Sequence, residues 1–168
     1  MLRMRGLSCL VAGALLLASG ARTVSAQTSV KRVISLGAAD RIAAAAEAEA
    51  KRRGSTVVIV VVDDGGYPIL LRRLDDTQVA SVEVGIGKAR TAAIFRRPSK
   101  VFEDQVRNGR VAALALPGAT PLQGGVPLVF EGKVIGAIGV SGNTPQEDEE
   151  IALAGAAVAE AALKVGTR

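Results

Sequence analysis

The chain has 168 residues, with 21 Lys plus Arg against 16 Asp plus Glu, no His, no Trp and a single Cys. Hydrophobic residues make up 49% and aromatic residues only 2%. The chain therefore has no imidazole for proton transfer or metal binding, and too few rings to stack successive nucleic-acid bases, so no nucleic-acid partner is expected.

Arg3 and Arg5 precede an apolar run over 7–18, and Val24-Ser25-Ala26 places a small-x-small pattern before Gln27. This is the layout of a secretory signal peptide, too short to span a membrane. Residues 1–26 are expected to be that leader. Residues 27–168 are then expected to be one exported domain, periplasmic or extracellular, without a transmembrane segment. Met1, Met4 and Cys9 all fall in the leader, as do Arg3, Arg5 and Arg22, which leaves 18 basic against 16 acidic residues. A domain without His, Cys or Met has no disulfides, no thiolate or imidazole zinc site, no cysteine nucleophile and no His-dependent triad. It also lacks the His, Met and Cys ligands most used for haem iron. Asp63-Asp64 and Asp75-Asp76 do not have calcium-loop spacing and read as turn formers, so no metal site is expected.

Ser35 caps a predicted Ala-rich helix over 36–53, with Lys51, Arg52 and Arg53 in its last turn and Gly54 as its stop. The β-branched run 57–62 is apolar on both faces, as in a central buried strand. Asp63-Asp64-Gly65-Gly66 turns the chain into a partner strand over 67–74. A second helix is expected over about 78–95, opened by Asp75, Asp76 or Thr77. Gly85 and Gly87 lie inside it, tolerable where another backbone packs against them. Pro98 ends that helix, and Ser99 caps a short one reaching about 107. The apolar run 111–116 is a candidate extra strand. Two runs, 127–130 and 133–140, make a second hairpin about Glu131-Gly132. Pro145 opens a last helix running to about 165. Paired hairpins among helices predict an α+β fold, with a central antiparallel sheet of four to five strands flanked by helices.

The basic cluster Lys88, Arg90, Thr91, Arg96 and Arg97 reads in two ways. It is either helix capping with solvated charge, or an anion site facing the backbone N–H groups of Gly124 and Gly125. A carboxylated ligand suits the second reading.

Three blocks carry a family resemblance: Val62-Asp63-Asp64-Gly65-Gly66 with Arg73-Leu74-Asp75; Ala80-Ser81 through Lys88-Ala89-Arg90-Thr91-Ala92-Ala93 with Arg97-Pro98; and Gly124-Gly125-Val126-Pro127-Leu128 through Gly136-Ala137-Ile138-Gly139-Val140-Ser141-Gly142. Together they resemble the GlcG/HbpS-like proteins. The resemblance implies a profilin-like three-layer sandwich, homo-oligomers, and a ligand set that includes haem or related tetrapyrroles. In that setting Tyr67 is the one phenol available as an axial oxygen ligand, and the basic cluster would pair with propionates. Tyr67 also reads as an ordinary strand residue. Two alternatives to a binding protein stand beside it. One is a small enzyme acting on an organic acid, with Lys88 or Tyr67 as acid/base and Arg97 as carboxylate clamp. The other is an accessory oligomer without a small ligand. No catalytic residue is assigned.

Overall fold

The helix expected after Ser35 forms as α1, Leu36–Arg53, in a computed structural model that describes residues 29–164. The Ser35 hydroxyl accepts from the Ala38 N–H at its start, and Gly54 closes it at φ +67°. The predicted leader lies outside the described residues, and every element belongs to a compact unit beginning at Lys31. No described helix is long and apolar enough to cross a membrane.

Strand β1, Val58–Asp63, pairs antiparallel with β2, Pro68–Arg73, across the 63–67 turn. Strands β3, Gly125–Phe130, and β4, Lys133–Ser141, form the second hairpin. Its turn residues Glu131 and Gly132 both take positive φ, 49° and 75°, the twist that a two-residue hairpin loop demands. β4 also pairs antiparallel with β1, so the sheet order is β2-β1-β4-β3 and the run of β-branched residues lies at its centre. The fold is α+β with a four-stranded antiparallel sheet.

The two faces of the sheet carry separate cores. Val57, Ile59, Val61, Leu128, Ile138 and Val140 pack beneath α1 and α4 (Pro145–Ala157). Val58, Val60, Val62 and Ala137 pack beneath the small residues Ala89, Ala92 and Ala93 of α2, Ser81–Ile94. Helices on both faces make the three layers.

Several elements depart from expectation. The run 111–116 is not a fifth strand but a 3-10 turn, Val111–Ala115. Three of its residues are Ala, which favour helical backbone. Ala113 is buried between exposed Val111 and Leu114, a period of three rather than two. α2 starts at Ser81 rather than near 78, because Asp76 adopts φ +61° and the Thr77 hydroxyl donates to Leu74 O instead of capping a helix. The last helix breaks at Val158 into α4 and α5, Ala159–Lys164. Ser99 precedes α3, Lys100–Arg107, without a side-chain cap bond.

Candidate functional site

The glycines of the β3–β4 hairpin let α2 lie against the sheet. A Cβ on Gly139 would stand 2.6 Å from Ala89 N and closer still to Gly85 O; one on Gly125 would stand 2.7 Å from Lys88 C and closer still to Lys88 O. Contact of this kind leaves no room for side chains, so only glycine serves.

This close packing decides what Lys88 does. Its Nζ donates to Asp148 Oδ2 at 2.7 Å and to Val140 O at 3.1 Å, and both side chains of the pair are at most 4% exposed. Asp148 also accepts from the Asn143 N–H at 3.1 Å. Burial pushes the Asp148 carboxyl above the ordinary aspartate range, while the Lys88 ammonium and the backbone N–H groups of Asn143 and Gly142 oppose that push. Lys88 is therefore an internal tie between α2, the end of β4 and the start of α4. It is neither a propionate partner nor an accessible acid/base.

Thr91 is likewise spent inside. It is fully buried, its hydroxyl donates to Gly87 O at 2.7 Å, and it accepts from the Thr120 N–H at 2.7 Å, pinning the 117–121 loop to α2. Gly124, at φ +126°, and Gly125 do come beside Lys88. A Cβ on Gly124 would lie 3.0 Å from Lys88 Nζ, and the Gly125 N–H donates to Ser99 Oγ at 2.8 Å. Ser99, read from sequence as a cap, donates onward to Leu122 O at 2.6 Å and so joins the start of α3 to the glycine pair. Ser99→Ala takes the Ser99 hydroxyl from the buried Gly125 N–H and from the partly buried Leu122 carbonyl. It is expected to cost about 1–3 kcal/mol in urea denaturation, with near-zero loss excluding this role.

Tyr67, Arg96 and Arg97 stay outside. Tyr67 is 63% exposed and the Arg90 guanidinium lies 5.4 Å from its ring centre. The turn residue Gly66 makes this pairing possible, since a Cβ there would meet Arg90 Cγ at 2.7 Å. Gly118 touches the same group: a Cβ there would reach Ile94 Cδ1 at 3.2 Å and Arg90 Cδ at 4.0 Å. Tyr67, Arg90 and Ile94 thus form one outward surface carrying a phenol, a cation and an apolar side chain. Arg96, at φ +54°, and Arg97, which donates from Nε to Phe95 O at 3.2 Å and lies 6.0 Å over the Phe102 ring, follow the end of α2. No contact among the described residues joins either of them to Tyr67. The expected cluster therefore divides into an interior set (Lys88, Thr91, Gly124, Gly125) and an exposed set (Tyr67, Arg96, Arg97). Asp148 was not foreseen as the partner of Lys88.

Residues 34–157 match the family model described as haem degrading protein HbpS-like. The chain belongs to the HbpS-like family. It is 44% identical over 111 residues to protein GlcG of Escherichia coli strain K12, covering 66% of this chain and 83% of that one. Among solved structures, a double mutant of HbpS from Streptomyces reticuli superposes with a TM-score of 0.74 at 27% identity, over 91% of this chain and 98% of that one. A PduOC:haem complex superposes with a TM-score of 0.68 at 25% identity, over 75% and 94% of the two chains. The three sequence blocks that carried the resemblance all lie in the matched region.

The donors of this HbpS-like chain are compatible with haem in one respect and restrictive in another. Among the described residues no group of three or more His, Cys, Asp or Glu could hold a bare metal ion. An iron ligand from residues 29–164 would have to be an oxygen or amine group, and the exposed Tyr67 phenol beside Arg90 supplies an oxygen with a carboxylate partner next to it.

Proposed function

We propose that this chain is an exported, self-associating protein that binds haem or a similar carboxylated tetrapyrrole. The observation that carries the reading is the Tyr67–Arg90 surface within a fold whose family model is described as haem degrading and whose relative PduOC was solved with haem. In this reading the Tyr67 oxygen holds the iron, Arg90 pairs with a propionate, and Ile94 covers part of the macrocycle. Arg96 and Arg97 add positive charge beyond the end of α2. Bound haem would supply iron chemistry; this chain's residues bind it, orient it and neutralise its carboxylates. Lys88, Thr91, Gly124 and Gly125 hold α2 in place and do not touch the ligand.

Titration of the purified chain with haemin is expected to give a saturable Soret change. Tyr67→Phe should move the band, because an iron-bound phenolate is lost, and Arg90→Gln should weaken binding about tenfold through loss of a charge-assisted pair. A titration without any Soret change defeats the haem reading and leaves an accessory oligomer. An unchanged spectrum in Tyr67→Phe removes that residue from the iron.

Self-association is supported by exposed Val111, Leu114 and Leu122, which lie on or beside α3 and the 3-10 turn. Light scattering on the eluting protein should give a multiple of the monomer mass. Export is supported by the leader pattern, and intact mass should begin at Gln27.

A further inference from the structure

A recess in the opposite helical layer is not used by the haem reading. It opens where the lead-in to α1 meets the tip of the β3–β4 hairpin and α5, and encloses about 140 Å³. Ala38, Phe130, Ile135 and Leu163 form its apolar walls; Arg32 and Ser35 are polar members of its lining. An apolar cavity of roughly 150 Å³ holds a benzene ring, so this one takes a phenyl group or a chain of about six carbons.

The polar members have unspent capacity. The Arg32 guanidinium lies 5.7 Å from the centre of the Phe130 ring, one of the walls, and meets Glu131 only at 3.5 Å, with both side chains more than half exposed. A loose exposed pair of this kind contributes little and is readily exchanged for a better anion. Ser35 accepts from the Ala38 N–H at 3.2 Å, yet its own hydroxyl hydrogen has no acceptor among the described residues. The first turn of α1, which begins at this recess, carries no acidic side chain to repel an anion.

We propose that this recess binds a small monocarboxylate with an aromatic or short alkyl body. The body sits against Phe130, Ile135 and Leu163. The carboxylate is held by the Arg32 guanidinium and the Ser35 hydroxyl. Size sets the limit on the body: a single ring fits, whereas a tetrapyrrole does not. The inference does not rest on the haem reading, since it uses another face of the molecule.

Calorimetric titration of the purified full chain with sodium benzoate tests it, with benzamide as the uncharged analogue and acetate as the carboxylate without a body. Saturable binding of benzoate is expected at one site per chain, at least tenfold tighter than benzamide and at least tenfold tighter than acetate. Methyl signals of Ala38, Ile135 and Leu163 should shift on binding. Arg32→Gln, an exposed substitution compatible with folding, should abolish the preference for benzoate over benzamide. The proposal is overturned by an absence of saturable heat, by shifts confined to other methyl groups, or by an Arg32→Gln variant that binds benzoate as tightly as the unaltered chain.

Discussion

Lys88→Met is expected to lower the unfolding free energy by about 3–5 kcal/mol at neutral pH, the usual cost of leaving one member of a buried ion pair without its partner. Met fills nearly the same space as the Lys stem, so the loss is electrostatic rather than a cavity effect. Asp148 would keep only its backbone donors, chiefly the Asn143 N–H at 3.1 Å, together with its place in the first turn of α4, where the helix dipole favours an acid. The sign of the pH dependence follows from the raised Asp148 carboxyl. A carboxyl whose folded pKa exceeds its unfolded one binds its proton more tightly in the folded state. Its stabilising contribution is present below the unfolded pKa and is lost as pH rises towards the folded one. With the ammonium gone, the carboxyl is pushed up further, so the deficit of Lys88→Met should shrink on going from pH 7 towards pH 4. The double variant Lys88→Met/Asp148→Leu should recover most of the stability, because it removes the stranded charge. Urea denaturation of the two single variants and the double gives the coupling directly. A Lys88→Met variant within 1 kcal/mol of the unaltered chain at pH 7 would mean that the pair is solvated rather than enclosed.

This pair also shows where sequence reasoning stops. Short-range signals were legible because their physics is local: Ser35 and Gly54 bound α1, and Pro145 opens α4, where the structure adds a capping box between Thr144 and Glu147. The β-branched run at the centre of the sheet and the Glu131-Gly132 turn were legible for the same reason. Lys88 and Asp148 are 60 residues apart, and Lys88 had a plausible explanation of its own in the basic cluster of α2. One signal did exist. Gly85, Ala89 and Ala92 make the buried small-residue face of α2, and Lys88 lies on that same stripe, where a charge must find a partner. Thr91 follows the same logic. Arg90 turns away from that face, which is why it can reach Tyr67. The 111–116 run misled because apolar content was weighed above its three alanines. The break at Val158 was invisible because an Ala-rich sequence favours helix throughout.

Gly139→Ala should be among the more damaging single methyls added to this fold, at about 3 kcal/mol or more, the upper end of overpacking costs. Gly139 lies opposite Val60 on one side and Gly125 on the other. Its missing side chain faces the backbone of α2: a Cβ would stand 2.6 Å from Ala89 N and 2.8 Å from Ala89 Cβ, with Gly85 O nearer than either. None of these atoms is the end of a flexible side chain, so relief requires moving the helix. Gly132→Ala is the matched control. Gly132 has positive φ but nothing within 4 Å of an added Cβ, so only the left-handed backbone penalty of about 1–2 kcal/mol applies. Equal losses for the two variants would refute the close approach of α2 to the sheet. The two experiments also separate packing from binding. Arg90 rides on α2 and is held to Tyr67 across Gly66, so a displaced helix parts the phenol from its cation. Any folded fraction of Gly139→Ala should then bind haemin more weakly than Gly132→Ala does, although neither substitution lies on the proposed binding surface.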